Sequence, residues 1–297
     1  MGFKENLFLL TTAKILTGEP MKKHTSFGVG GKADYYVEVD SIYTLNEILS
    51  LCKKYRVRYK IIGNGTNLLF SEKGYKGLII NTKKLNSIYF ENTLVRAMSG
   101  ANLNELIKNS AQKNLSGLEW LYGIPASIGG AIVMNAGAFG HNIAERVIAV
   151  ESLVDGKIKK YSKEECKFGY RTSRFLGKKE VIISATFDLT QGNSERIIES
   201  ITAYKELRNS VQPSGRSCGS VFKNPLGDRA GRLIESAGLK GSQIGGATIS
   251  QKHANFIIAK GKTTANDIYE LIDYVKRKVK SQFGVQLEEE VECVGEF

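Results

Sequence analysis

The chain is 297 residues long, 42% hydrophobic and 24% charged, and its 42 Lys and Arg against 30 Asp and Glu give a formal net charge of +12. Such a composition builds two or three packed domains and excludes a low-complexity chain. The four cysteines (Cys52, Cys166, Cys218 and Cys293) form no Cys-x-x-Cys pair, and only three histidines occur, which argues against a zinc site; no metal is expected. Widely spaced thiols suit a reducing compartment. The apolar stretch 7–10 after Lys4 is too short to span a bilayer, and no cleavage pattern follows it. A cytoplasmic protein without a membrane partner is expected.

A basic balance attracts phosphates on nucleic acids, membranes or small molecules, and it serves equally as a solubilising surface. The charge is dispersed along the chain. The one dense run, Lys276, Arg277, Lys278 and Lys280, lies on an amphipathic stretch with Ile268, Leu271, Ile272, Val275 and Val279 at helical spacing. A solvated outer face explains it better than a nucleic-acid arm, and no nucleic-acid partner is expected.

In chain order, residues 41–55 read as an amphipathic helix with Leu45, Ile48, Leu49 and Cys52 on one face. Residues 58–62 read as a strand running into the turn Gly63-Asn64-Gly65-Thr66-Asn67, and residues 77–81 as the next strand. A helix over 101–114 turns Leu103, Leu106 and Ile107 inward. The glycine-densest region, 117–140, follows. Strands are predicted at 149–154 and 181–189, and a helix at 194–209 with Ser194 as its cap. After the turn-rich 213–231 come a helix over 264–282 and a final strand over 285–294. Strand alternation would put Glu288 and Glu290 on one face of that strand and Glu289 on the other, with Leu287 and Val291. Helices and strands mix without βαβ alternation, so the fold class is α+β. The best composition break is Gln191-Gly192-Asn193.

Two stretches carry chemistry. In Ile61-Ile62-Gly63-Asn64-Gly65-Thr66-Asn67-Leu68-Leu69, a strand ends in glycines that permit positive φ, and successive N–H groups can point at a pyrophosphate. It matches neither a Walker loop nor a Rossmann fingerprint, and alone it serves equally as a tight turn. The second stretch, residues 117–138, is nearly free of charge and rich in small residues, so a large flat ligand could lie against its backbone. A tightly packed glycine-rich core segment is its other reading. Two such loops in one half of a chain favour a dinucleotide over a single phosphate.

Together with His24-Thr25-Ser26-Phe27, Gly30-Gly31-Lys32-Ala33-Asp34, Tyr170-Arg171-Thr172-Ser173, Gly219-Ser220-Val221-Phe222-Lys223-Asn224-Pro225, Gly245-Gly246-Ala247, His253-Ala254-Asn255-Phe256 and Leu287-Glu288-Glu289-Glu290-Val291, these loops resemble the UDP-N-acetylenolpyruvoylglucosamine reductase family in its shorter form, over roughly residues 20–295. The resemblance implies a two-part FAD-binding fold of the vanillyl-alcohol-oxidase type followed by a C-terminal α+β substrate domain. The implied spans are 1–190 for FAD, in lobes of about 1–82 and 83–190, and 191–297 for substrate. It implies noncovalent FAD held by Gly63, Asn64, Gly65, Thr66, Asn67, Leu68, Gly123, Ile124, Pro125, Ser127, Gly129, Gly130, Ala131, Asn135, Ala136 and Gly137. One departure is visible: Ala126 stands where the family usually has glycine, which would be strained if that position needed positive φ.

The implied reaction uses NADPH to reduce the enolpyruvyl double bond of UDP-N-acetylglucosamine enolpyruvate, giving UDP-N-acetylmuramate. Flavin supplies the hydride, so the protein must supply a proton and stabilise an enolate-like charge. The resemblance makes Ser220 the proton donor, Arg171 the fork for the substrate carboxylate, and Glu290 the third catalytic residue. From the residues alone, Ser220 is a turn serine, Arg171 a surface ion-pair partner and the glutamates a solvated face. The resemblance also places Tyr170, Lys223, Asn224 and His253 near the UDP-sugar. The alternative enzyme is another FAD-dependent oxidase or dehydrogenase of the same fold, against which the serine, arginine and glutamate motifs argue.

Overall fold

The structure, a computed structural model, describes residues 2–10 and 13–297. Two compact units divide the chain. The first takes the N-terminal residues through Leu16, Tyr35–Asn64 and Gly77–Arg208; the second takes Thr17–Asp34, Gly65–Lys76 and Asn209–Phe297.

In the first unit, helices α1 (Phe3–Leu10) and α2 (Ile42–Tyr55) bury Leu7, Leu45, Ile48, Leu51 and Cys52. These share a core with Leu78 and Ile80 of the strand Tyr75–Asn81, which runs parallel to Tyr59–Ile62. Ser41 caps α2 by accepting the Thr44 N–H at 3.0 Å. A five-stranded antiparallel sheet follows, in the order Lys157–Ser162, Val147–Val154, Val181–Asp188, Leu94–Met98, Ile88–Glu91. Helices α3 (Leu103–Gln112) and α4 (Ile128–Val133) bury Leu103, Leu106, Ile107, Ile128, Ala131 and Ile132 in one core with Val95, Ala97, Ala185 and Phe187 of that sheet. Gly129 in α4 allows its close approach: a Cβ there would lie 3.1 Å from the Ser99 Cβ and carbonyl oxygen.

Helix α5 spans Ser194–Val211 and buries Ile197 and Ile201 in the same core. Its start is held by Asn193, whose side-chain oxygen accepts the Glu195 and Arg196 N–H groups at 2.9 and 3.1 Å. The cap is therefore Asn193, one residue before the expected Ser194.

The second unit is built on the antiparallel sheet Gln243–Ile244, Ala247–Ile249, Ile257–Ala259. Helices α6 (Ala230–Ser236) and α7 (Ala265–Phe283) contribute Leu233, Ile234, Ile268, Leu271, Ile272, Val275 and Val279 to its core. Phe27, Val29 and Leu69 join that core, which is why two N-terminal segments pack with the C-terminal third. Thr264 caps α7: its hydroxyl accepts the Asp267 N–H at 3.1 Å while Asp267 accepts the Thr264 N–H at 2.9 Å. Thr264→Ala is expected to destabilise the protein by about 1 kcal/mol, read as a lower urea midpoint with an unchanged slope.

The predicted final strand is mostly absent. Only Glu292–Val294 is a strand, and it pairs in parallel with Leu68–Phe70. Residues 285–291 instead touch their neighbour through one antiparallel bridge, Phe222 to Glu289. The alternation survives in part, with Leu287 and Val291 buried and Glu288 exposed. The basic run on α7 is not wholly solvated either, because Lys276 turns to Glu289 at 2.6 Å.

Candidate active site

The two glycine-rich loops meet within the first unit. The Asn64 amide donates to the Pro125 carbonyl at 3.0 Å, and a Cβ on Gly63 would strike the Ser127 hydroxyl at 2.0 Å. Asn81 holds the first loop through the Gly63 carbonyl at 3.2 Å. Asn104 brackets the second, accepting the Gly123 N–H at 2.6 Å and donating to the Ile124 carbonyl at 3.1 Å. Beyond Asn64 the first loop runs into the second unit. There the Ser26 N–H donates to the Gly65 carbonyl at 3.2 Å, and a Cβ on Gly65 (φ +66) would strike the His24 carbonyl.

The loop carries the feature a pyrophosphate needs. Among the described residues, the N–H groups of Gly63, Asn64, Gly65, Thr66 and Asn67 donate to no acceptor. Unpaired N–H groups in a tight loop attract an anion. The α4 end behaves differently. Its N–H groups from Ile128 to Ala131 are already taken by Ala101, Ser99 and Ser127. Ser127, Gly129, Gly130 and Ala131 thus offer a small-residue surface rather than free donors. Gly123, Pro125 and Gly130 are exposed, which suits a flat ring system. The residues present therefore fit FAD: the first loop would hold the pyrophosphate and the second would support the planar part. Ala126 is buried and does not have positive φ, so it carries no left-handed strain.

Arg171 sits in a tight turn closed by Gly169 and Thr172, whose N–H and carbonyl groups bond one another at 3.0 and 3.3 Å. Its φ is +51, a conformation uncommon for a non-glycine residue. The guanidinium donates to the Gly137 carbonyl at 3.0 Å and lies 5.5 Å from the exposed Tyr170 ring. The first unit thus brings Arg171 and Tyr170 beside the Gly137 loop. Asn135 and Ala136 lie in that loop, and both amide atoms of the buried Asn135 bond protein backbone.

Ser220 lies on a segment bonded on both sides within the second unit. The Val221 N–H donates to the Asn255 carbonyl at 2.9 Å, and Asn255 brackets Phe222 with its amide at 2.9 and 2.8 Å. On the other side the Glu290 N–H donates to the Val221 carbonyl at 2.7 Å. Asn67 then fixes Glu290 by donating to its carbonyl at 2.9 Å. Ser220 and Glu290 are therefore brought onto adjoining backbone segments. Both are half-buried, and the Ser220 hydroxyl makes no hydrogen bond among the described residues. Gly219 before it has φ +82, and a Cβ there would meet nothing within 4 Å. Burial, and next the charge of Glu290, push the Cys218 thiol up, so it stays protonated at neutral pH.

Lys223 pairs with the exposed Glu288 at 2.5 Å. Asn224 accepts the Ala230 N–H at 3.1 Å. Burial holds the His253 imidazole below its ordinary value, and its Nδ1 accepts the Asn255 N–H at 3.2 Å, which leaves Nε2–H as the donor. Sequence reasoning missed Asn81 and Asn104, which fix these loops, and included Asn255 in a motif without giving it a role. Each lies far in sequence from the loop it holds, so no local pattern shows the contact.

These loops lie in a flavoprotein, the class that the match to an FAD-binding family defines. Residues 33–161 match the family model described as FAD binding domain. A glucose oxidase variant of Phl p 4 superposes on 64% of this chain and 44% of its own with a TM-score of 0.51 at 13% identity, which places the fold with the vanillyl-alcohol-oxidase type. Residues 212–294 match the family model described as UDP-N-acetylenolpyruvoylglucosamine reductase, C-terminal domain. The UDP-N-acetylenolpyruvoylglucosamine reductase of Anoxybacillus flavithermus is 41% identical over 296 residues, 98% of each chain. The crystal structure of that reductase from Thermus caldophilus has a TM-score of 0.81 at 33% identity over 95% of this chain and 99% of its own. The chain belongs to the UDP-N-acetylenolpyruvoylglucosamine reductase family. Among the described residues no helix is long and apolar enough to cross a membrane.

Proposed function

We propose that this chain is an FAD-dependent, NADPH-using reductase of the enolpyruvyl double bond of UDP-N-acetylglucosamine enolpyruvate, yielding UDP-N-acetylmuramate for peptidoglycan. The observation that carries the reading is the near-full-length likeness to reductases of that name, spanning both the flavin and the C-terminal family models. The protein works in the cytoplasm on a small-molecule UDP-sugar, with neither nucleic acid nor membrane as partner.

Residues 1–190, in lobes of about 1–82 and 83–190, bind FAD, and 191–297 bind the substrate. FAD, when bound, supplies the hydride to the enolpyruvyl group. Gly63, Asn64, Gly65, Thr66 and Asn67 hold its pyrophosphate end through N–H groups that donate to no acceptor among the described residues, with Leu68 next to them. Gly123, Ile124, Pro125, Ser127, Gly129, Gly130, Ala131, Asn135, Ala136 and Gly137 form the surface it lies on. Arg171 offers its planar fork to the substrate carboxylate and keeps its charge as the enolate develops. Ser220 donates the proton from a hydroxyl that makes no hydrogen bond among the described residues. Glu290 shares in handling that proton. Tyr170, Lys223, Asn224 and His253 contact the UDP-sugar.

An anaerobic titration tests the whole reading. NADPH is expected to bleach the flavin absorbance and the enolpyruvyl substrate to restore it; a flavin that the substrate fails to reoxidise contradicts the assignment. The FAD is expected to be noncovalent, since free N–H groups and small residues hold it. Acid precipitation should leave the yellow colour in the supernatant, and colour retained in the pellet would refute this.

A further inference from the structure

We propose that Asn135 is the positioning residue for Arg171, a step beyond its assignment to the flavin loop. The inference rests on the reading of Arg171 as the substrate-carboxylate fork. Arg171 occupies the third position of a tight turn with φ +51, where glycine is usual. Left to itself, an arginine there relaxes to negative φ and carries its guanidinium away. The turn is closed by the Thr172 N–H on the Gly169 carbonyl, and that same carbonyl accepts the Asn135 side-chain N–H at 2.9 Å. Asn135 is itself fixed: it is 6% exposed, and its side-chain oxygen accepts the Ala144 N–H at 3.2 Å. Two further bonds join the same segments, from the Ser173 hydroxyl to the Val133 carbonyl at 2.8 Å and from Arg171 to the Gly137 carbonyl at 3.0 Å. Alternate residues 133, 135 and 137 thus each hold the 169–173 turn. Gly137 leaves the guanidinium its room, since a Cβ there would lie 3.2 Å from Arg171 Nη1.

Asn135→Asp isolates the claim. It keeps the size, the tolerance of left-handed φ and the acceptor for Ala144, and it replaces the donor to Gly169 with an acceptor. Because Asn135 also lines the proposed flavin surface, FAD content and NADPH-driven reduction of the holoenzyme variant are measured first, and its reoxidation is read per bound FAD against its own rate of reduction. Reoxidation by the enolpyruvyl substrate is expected to slow about 10²-fold, the effect of a displacement of about 1 Å. The Thr172 amide is expected to exchange hydrogen faster, a readout independent of turnover. In an Arg171→Met background the same substitution is expected to add less than about twofold, because the two residues act as one unit. Ser173→Ala is the second variant, with the same split at smaller size, should Asn135→Asp fold poorly. Equal slowing of both half-reactions, or full additivity with Arg171→Met, overturns the positioning role. If Arg171→Met itself reoxidises at the parent rate, the reading of Arg171 falls instead.

Discussion

Ser220→Ala is expected to leave FAD content and NADPH-driven flavin reduction near normal while reoxidation by the enolpyruvyl substrate falls by about 10²–10⁴-fold, the size of a lost general acid. The structure supports the separation of the two effects. The Ser220 hydroxyl bonds nothing among the described residues, so removing it breaks no contact of the fold. Asn255 and Glu290 hold the neighbouring Val221 and Phe222 through backbone groups that alanine leaves intact. Ser220→Cys is expected to retain more activity than alanine, because a thiol still donates a proton. Cys218→Ala serves as the control: its protonated thiol is not in the proposed machinery, and little change is expected. Stopped-flow absorbance of the flavin follows both half-reactions. A Ser220→Ala enzyme that reoxidises at the parent rate would move the proton donor to water or to Glu290.

Arg171→Lys is expected to slow reoxidation by about 10²–10³-fold, the loss typical of one charge-stabilising donor, with NADPH-driven reduction changed far less. Lysine keeps the charge but not the planar fork. The structure adds a second reason. The guanidinium gives one N–H to the Gly137 carbonyl at 3.0 Å, and its planar geometry fixes the directions of all its N–H groups. An ammonium that satisfies Gly137 has no rigid fork left to offer. Equal slowing of both half-reactions would argue against contact with the substrate carboxylate.

Much was legible in the sequence because its signals are local. The helix predicted over 264–282 appears as Ala265–Phe283, since its apolar spacing lies within one short stretch; that Thr264 caps it is what the structure adds. From their glycines the five residues 63–67 read equally as an anion loop or a tight turn, and among the described residues their N–H groups donate to no acceptor. Local patterns misled where a long-range partner decides. Residues 285–294 carry a strand's alternation, yet only Glu292–Val294 find a continuous partner, the parallel segment Leu68–Phe70. A strand needs a neighbour along its whole length, and no sequence window shows one.

The glycines make the same distinction. Composition suggested that they admit a ligand to the backbone. At Gly63 and Gly65 the tertiary structure gives another use, because the Ser127 hydroxyl and the His24 carbonyl occupy the space of a side chain. The sequence by itself determined the fold class, the family and the identity of the chemical groups, because residue types and short spacings set those. Only the tertiary structure decided which donors remain free, how Arg171 is held at positive φ and which asparagines fix the loops. Those depend on carbonyls brought close by the fold from residues tens of positions away, such as Asn135 to Gly169 and Asn255 to Phe222.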